Sequence, residues 1–511
     1  MSVVTIQILA LVTFFVLALV AFLGRARGYR RFCAALIVVF GVTACTVGPF
    51  YHKPNIPPPP AWREADMGTA VVVPNADSAE AVAVWPASQW WRGFNSAQLD
   101  DLMAQAQKAN DDIAAAVARV READAQVRIA GAPLFPSLQA TGDATRQRAK
   151  PANAPSGTPA TTFNQFSAQL GASYQLDFWG KNLATRRSAS FSAEASRYDR
   201  ATVELTVMTS VAATYFQAMA SHDRVAVAQQ DLTTAQEILR DLKVQASVGV
   251  ANALDVAQQE TAVATLSATI PPLQQQFRQS VNALALLVGK TPQELEFPGG
   301  KLTELAEPQV RPGLPSELLA RRPDVANSEA QLKAANADIQ AARAAFFPSI
   351  DLTADGGFAS TALASLIAPG NKVFALSGQI AQQIFAGGAI TGKYQLTRAR
   401  YGELLADYHK SVIAAFSDVE NALVALQQTA DQYQREQEAV ATAQRAYDFT
   451  QTQLHAGTVN VLSVLSTQTA LFTAQDTLVQ VRLAHLQALL QLYSALGGGW
   501  QRDVMQAKVT R

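Results

Sequence analysis

Residues 165–178 read Gln165-Phe166-Ser167-Ala168-Gln169-Leu170-Gly171-Ala172-Ser173-Tyr174-Gln175-Leu176-Asp177-Phe178. Every even position is apolar, and every odd position is polar apart from the neutral Gly171. This period of two predicts a β-strand with one greasy and one wet face. An upstream stretch alternates likewise: Leu138, Ala140 and Ala144 stand against Gln139, Thr141, Asp143 and Thr145. The connecting Gln147–Thr162 is rich in Pro, Ala and Thr and reads as an exposed loop. The two strands therefore form a hairpin. A soluble sandwich with a half-buried sheet shows the same alternation, so the hairpin alone leaves the environment open.

The hairpin belongs to an internal repeat. Leu134-Phe135-Pro136-Ser137-Leu138 recurs as Phe346-Phe347-Pro348-Ser349-Ile350, 212 residues later. Phe178-Trp179-Gly180-Lys181 has a counterpart in Phe385-Ala386-Gly387-Gly388. Val248-Gly249-Val250-Ala251-Asn252-Ala253-Leu254 recurs as Ala456-Gly457-Thr458-Val459-Asn460-Val461-Leu462 at an offset of 208, and Gly289 matches Gly497 at that offset. In the second copy Ile350, Leu352, Ala354 and Phe358 oppose Asp351, Thr353 and Asp355, and Phe374, Leu376, Ile380 and Ile384 oppose Ser377, Gln379 and Gln383. The change of offset falls between the Pro-Ser motif and the next strand, where the loop Ala359–Lys372 absorbs it.

Long helices follow each hairpin. No proline interrupts Lys181–Ser247, a length on the order of 100 Å as a helix. Tyr394–Ala456 is the equivalent run. Each chain then turns back, through Ala253–Val288 and Val461–Leu496. Pro271-Pro272 is expected to kink or break the first returning helix. At each turn a glycine, Gly249 or Gly457, suits the left-handed close of a helix. Three residues on, Asn252 or Asn460 suits the cap of the next. Leu254 and Leu462 then pack against the tip or stay exposed. The helices are rich in Ala and Gln, which suits side-by-side packing in a curved wall better than one solid core.

The N-terminus is a separate matter. Val3–Leu23 is apolar, a basic stretch containing Arg25, Arg27, Arg30 and Arg31 follows, and a second apolar run covers Phe32–Ala44. That second run is short for a membrane span, which needs ~20 residues, and fits a signal-peptide core. It ends in Val42-Thr43-Ala44-Cys45, which resembles the lipobox of bacterial lipoproteins, so Cys45 is expected to be the lipidated first residue of the mature chain. A two-helix inner-membrane anchor is the alternative. Cys33 and Cys45 are the two cysteines, so a mature chain starting at an acylated Cys45 has no disulfide. Pro54-Asn55-Ile56-Pro57-Pro58-Pro59-Pro60 reads as an extended tether.

The expected organisation is a leader over 1–44, a lipidated extended segment over 45–98, repeats over 99–300 and 301–500, and a tail over 501–511. Without the four leader arginines the chain carries 37 basic and 41 acidic residues. This mild acidity gives no reason to expect nucleic acid.

Four strands cannot close a barrel, and a lipid-facing sheet cannot keep open edges. Eight strands, from two copies, leave an interior only wide enough for side chains. Three copies give twelve strands and a lumen lined by the polar odd faces, with the apolar even faces against lipid. The fold class is thus mixed: a membrane β-barrel closed by a homotrimer, plus long helices continuing the cylinder.

Trp90-Trp91 followed by Leu99 and Leu102, Leu319-Ala320-Arg321-Arg322-Pro323-Asp324-Val325, the two Phe-Pro-Ser elements and Leu496-Gly497-Gly498-Gly499-Trp500 resemble the TolC-like outer membrane factors. The lipobox and the Arg-Arg-Pro-Asp-Val stretch look like the NodT/OprM-type lipoprotein branch. The resemblance spans roughly residues 45–500. It implies a trimeric β-barrel with a periplasmic α-barrel, a passive outer membrane duct of a tripartite efflux system. Its implied partners are outer membrane lipid, a periplasmic adaptor protein and an inner-membrane pump, proton-driven, and its cargo small toxic molecules. A duct for polypeptides in a type I secretion system is the alternative. Similar ducts meet their adaptors at the helical tips, so Gly249, Val250, Asn252, Leu254, Gly457, Thr458, Asn460 and Leu462 are the candidate docking residues. One departure is Val459, where members often carry a gate carboxylate; Asp255 and Asp448 are the nearest acids.

No enzyme signature stands out. His52, His222, His409, His455 and His485 form no ligand spacing. Gly497-Gly498-Gly499 ends a helix and opens none. Asp111 and Asp112 suit a helix start, and Arg321-Arg322 suits an ion pair ahead of a helix opening at Pro323. Neither a metal nor a cofactor is expected beyond the covalent lipid on Cys45.

Overall fold

The computed structural model describes residues 48–63, 85–150, 159–310, 313, 315–500 and 502. The first helices are α1 (Ala97–Ala109) and α2 (Asp111–Gly131), and strands β1 (Ser137–Ala149) and β2 (Thr161–Gln175) follow. Helix α3 (Lys181–Ser247) and its return α4 (Ala253–Leu287) complete the first repeat. The second repeat is built alike. It has α5 (Pro315–Arg321), α6 (Pro323–Ala344), β3 (Ser349–Ser360), β4 (Lys372–Ala381), α7 (Ala389–His455) and α8 (Val461–Ala495). Helices α3 and α7 are each 67 residues long, and α4 and α8 each 35.

Two compact units cut across the two repeats. One holds both hairpins, and the other holds the helices of both repeats together with the N-terminal segment from Pro49.

In the first unit the strands form one antiparallel sheet in the order β1-β2-β3-β4. Its register is free of slips: Ala140 pairs with Leu170, Ala172 with Ala354, and Ala354 with Leu376. Directly paired residues share a face, so the even-numbered apolar positions of all four strands form one continuous surface. The wet residues share the other: Thr141 pairs with Gln169, Ser173 with Thr353, and Asp351 with Gln379. Strands β1 and β4 are left as unpaired edges.

In the second unit the two largest hydrophobic clusters hold the helices next to the N-terminal segment. Trp90, Trp91, Phe94, Leu99 and Met103 pack on Val211, Tyr215 and Phe216 of α3 and on Leu489 and Tyr493 of α8. Leu318, Val325 and Leu332 pack on Tyr408, Val412 and Val419 of α7 and on Leu492 and Leu496. Burying each such large side chain stabilises by about 1.5–3 kcal/mol. The duplication shows in polar detail too. Asn110 opens α2, and its Nδ2 donates to the Leu287 carbonyl at 2.9 Å. Arg322, 212 residues on, opens α6 and donates to the Ala495 carbonyl at 3.3 Å. Asp111 and Asp112 lie in the first turn of α2, and Arg322 binds Asp324 at 2.6 Å and Asp418 at 2.9 Å, as expected of structural residues.

Some expectations need correction. Of the kink or break expected at Pro271-Pro272, the break is absent: α4 runs unbroken from Ala253 to Leu287. The prolines remove two donors, but Ser267 and Ala268, whose carbonyls lose them, are exposed, so water can take their place. The strands stop earlier than the alternation. Leu176, Phe178 and Ile384 keep the period yet lie beyond β2 and β4, because the chain must turn there toward glycines at positive φ, Gly180 and Gly388. The helix-opening glycine also starts α7 at Ala389, five residues before Tyr394. The second hairpin loop carries two short 3-10 turns, Leu363–Ser365 and Pro369–Asn371. Among the described residues no helix is long and apolar enough to cross a membrane.

Candidate functional site

The turns between long and returning helices share one design. Gly249 has φ +80° and Gly457 has φ +71°. This left-handed region lets the following N–H reach back over the helix end. Val250 N–H donates to the Gln245 carbonyl at 2.9 Å, and Thr458 N–H to the Gln453 carbonyl at 3.0 Å. Asn252 then caps α4, its Oδ1 accepting from Asp255 N–H at 2.9 Å. Asp255 reciprocates, accepting from Asn252 N–H at 3.2 Å, a capping box. Asn460 caps α8 by accepting from Ser463 N–H at 3.1 Å. Asp255 thus serves the cap of its own helix.

Behind the turns the two hairpins lock together. Ile238 and Leu242 of α3 pack with Tyr447 of α7 and with Val461, Val464 and Leu471 of α8. Of the first turn only Ala251 packs against this cluster. Val250 is 76 % exposed, Leu254 63 % and Leu462 58 %, so both leucines left open above face solvent. The outcome is a rigid backbone presenting apolar side chains, which suits a surface for a partner better than a flexible loop.

The sequence reading missed the polar link between the repeats. Arg224 of α3 grips Asp476 of α8 with two bonds, Nε at 2.6 Å and Nη2 at 3.1 Å. Nearer the tip, and within the first repeat, Lys243 Nζ of α3 meets Glu260 of α4 at 2.7 Å. The Arg224–Asp476 pair, 252 residues apart, does not follow the repeat offset, so no spacing announces it.

Asp231 on α3 is buried, and burial together with the Asp476 charge pushes its carboxyl up to about 7. An unfolded carboxyl titrates near 3.9. Between about pH 4 and about pH 7 the folded chain therefore holds a proton that the unfolded chain has lost, and stability falls as pH rises through that window. Asp231→Asn is expected to raise the thermal midpoint of the detergent-solubilised trimer at about pH 8 and to match wild type near about pH 4. A pH-independent difference would show that the carboxyl is charged throughout.

Cys45 lies outside the described residues. The tether after it is in place, extended along α6. Gln340 Nε2 donates to the Pro49 carbonyl at 2.8 Å, and Lys53 Nζ meets Glu329 at 3.2 Å. The buried Trp62 donates to the Gly313 carbonyl at 2.7 Å. Of the histidines, His485 contacts Thr429 at 3.1 Å and Glu307 at 3.6 Å, and burial, then Arg482, lowers its pKa.

Comparison with known proteins agrees with this architecture. The chain matches the family described as outer membrane efflux protein over residues 102–290 and 314–498; the two spans are separated by the offsets that relate the internal motifs. It is 43 % identical over 419 residues to the pyoverdine export outer membrane protein OpmQ of Pseudomonas aeruginosa, covering 81 % of this chain and 88 % of that protein. It is 33 % identical to the toluene efflux pump outer membrane protein TtgC of Pseudomonas putida, covering 92 % of this chain and 96 % of the other. The solved open-state MtrE outer membrane channel of Neisseria gonorrhoeae is 27 % identical with a TM-score of 0.78, covering 90 % of this chain and 99 % of that one. The continuous greasy face, the two open edges and the paired helical hairpins therefore have a family setting, a β-barrel plus α-barrel closed by three copies in the outer membrane of a Gram-negative bacterium. The chain belongs to the outer membrane efflux protein family.

Proposed function

We propose that this chain exports small organic solutes of the pyoverdine kind, as the outer membrane duct of a tripartite pump with a periplasmic adaptor and a proton-driven inner-membrane partner. The observation that supports the cargo is its likeness to a pyoverdine export protein at 43 % identity, against 33 % for a toluene efflux protein. The duct itself acts as a passive conduit. Polar residues on the odd face of the sheet, among them Gln139, Thr141, Gln169 and Thr353, give a hydrated wall that a polar solute can pass. Energy for transport then comes from the pump.

The same reading places the adaptor on the six helical tips of a trimer, at Val250, Thr458 and their neighbours, and the acyl chains on Cys45. The tether from Pro49 to Trp62, fastened to α6, would keep a lipidated N-terminus close to its own protomer.

The cargo is tested by complementation. In a strain lacking its pyoverdine export outer membrane protein, expression of this chain is expected to restore the pigment to the medium. A correctly inserted trimer that restores toluene tolerance but no pyoverdine export would assign a different cargo. Mass spectrometry of the purified protein is expected to find a blocked, lipidated N-terminus at Cys45; a mature chain beginning at Met1 would rule the lipoprotein reading out.

A further inference from the structure

Six charged residues lie within the four strands, and the register sorts them by sign. Asp143, Asp351 and Asp355 are odd-numbered and stand on the wet face. Arg146, Arg148 and Lys372 are even-numbered and stand on the greasy face that meets lipid. Charges kept only for solubility at a barrel rim need no such sorting.

The three cations also share one end of the sheet. Arg146 pairs with Asn164, Arg148 with Thr162, and Lys372 with Phe358, all next to the interstrand loops. Arg146 lies eight residues beyond Leu138 on β1. At ~3.4 Å per residue and a tilt of ~40°, that is about 20 Å of height, and Arg148 stands at about 25 Å. A barrel's outward apolar band is about 25 Å tall. The cations therefore fall at the upper border of the hydrocarbon, where an aromatic girdle is usual. All three are exposed.

Closure brings them together. The open edges are β1 and β4, so a ring of three copies must pair β4 of one with β1 of the next. Strand directions alternate, which makes that pairing antiparallel and sets the loop ends side by side. Lys372 then faces the edge that carries Arg146 and Arg148 on the adjacent copy, with all three side chains on the lipid side. Each of three seams holds three cations beside a greasy wall.

We propose that each seam is a seat for the phosphate groups of the phosphorylated glycolipid that forms the outer leaflet. The guanidinium fork matches phosphate oxygens two at a time, and lysine adds a point charge. The apolar even positions below, Ala144, Phe166, Leu376 and Phe374, receive the acyl chains. A glycerophospholipid offers one phosphate, whereas the glycolipid offers two, spread across a disaccharide, which suits cations spread over two strands. The inference rests on trimeric barrel closure alone and is independent of the exported cargo.

Native mass spectrometry of the detergent-solubilised trimer tests it, with bisphosphorylated lipid A, dephosphorylated lipid A and phosphatidylglycerol as probes. Wild-type trimer is expected to retain bisphosphorylated lipid A at least about tenfold more tightly than either of the others. The combined Arg146→Gln, Arg148→Gln and Lys372→Gln variant is expected to lose that preference. Asp143→Asn with Asp355→Asn, on the wet face, is expected to keep it. Equal retention of the two lipid A forms by wild type overturns the proposal without reliance on any variant. So does retention of phosphatidylglycerol as tight as that of bisphosphorylated lipid A, which would mark an ordinary anionic-lipid surface. An assembled triple variant that keeps the preference overturns it as well.

Discussion

Replacing Val250 and Thr458 together by glutamate is expected to leave the trimer in the outer membrane and to abolish both adaptor crosslinking and export. The fold tolerates the change because both side chains point to solvent. The turn backbone rests on the positive φ of Gly249 and Gly457 and on the caps of Asn252 and Asn460, none of which is touched. The one bond lost is Thr458 Oγ1 to the Gln453 carbonyl at 3.1 Å, worth about 1 kcal/mol. The docking cost is larger because it repeats. A trimer presents six tips, and an unpaired carboxylate that must lose water against a partner costs at least about 1 kcal/mol at each. Six coupled contacts weakened by that amount lower affinity by about four orders of magnitude. Crosslinking between tip cysteines and the adaptor, with export measured in the same cells, reads the result. Wild-type export with normal crosslinking would place docking elsewhere on the helices.

How far the sequence leads can be judged from particular residues. The strand faces were legible because a period of two is local, and the register then had to keep the even positions of four strands together. The tips were legible for a similar reason, since Gly249 and Asn252 mark the end and start of helices within four residues. That Pro271-Pro272 leaves α4 unbroken was not legible, because the rule for proline counts lost hydrogen bonds and the sequence does not show that Ser267 and Ala268 are exposed there. The Arg224–Asp476 pair was invisible. Its partners are 252 residues apart and lie at unrelated positions of the two repeats, so only the packing of α3 against α8 reveals them. The burial of Asp231 follows from the same packing. The sorted charges of the sheet are an intermediate case. Their parity is written in the sequence, but parity becomes a face only when the pairing shows that no bulge intervenes.

Gly497→Ala is expected to eliminate assembled trimer, whereas Gly457→Ala is expected to assemble almost normally. Both glycines have positive φ, +85° and +71°, so alanine costs each about 1–2 kcal/mol through the left-handed conformation. Their surroundings separate them. A Cβ at Gly457 meets nothing within 4 Å, while one at Gly497 would lie 2.0 Å from the Arg321 carbonyl oxygen. That oxygen is backbone and cannot swing aside. Arg321 ends α5, and the next residue is Arg322, whose guanidinium joins Asp324, Asp418 and the Ala495 carbonyl. Moving α5 away from Gly497 pulls on this network, whose arginine is largely buried while both carboxylates are more than a third exposed, and forcing an extra methyl into so close an approach costs about 1–3 kcal/mol. With the conformational term the total, about 2–5 kcal/mol, reaches the lower end of the whole stability of a domain, about 5–15 kcal/mol. The first repeat offers an internal check, because a Cβ at Gly289 would lie 2.3 Å from the Ala109 carbonyl oxygen in the equivalent place, while Gly249 is as open as Gly457. Semi-native electrophoresis of outer membrane fractions is expected to divide the four alanine variants into two pairs, with 289 and 497 lost and 249 and 457 retained. A Gly497→Ala trimer with a wild-type thermal midpoint would mean that α5 can withdraw freely, and that the repeated close approach is an accident of ancestry without a structural role.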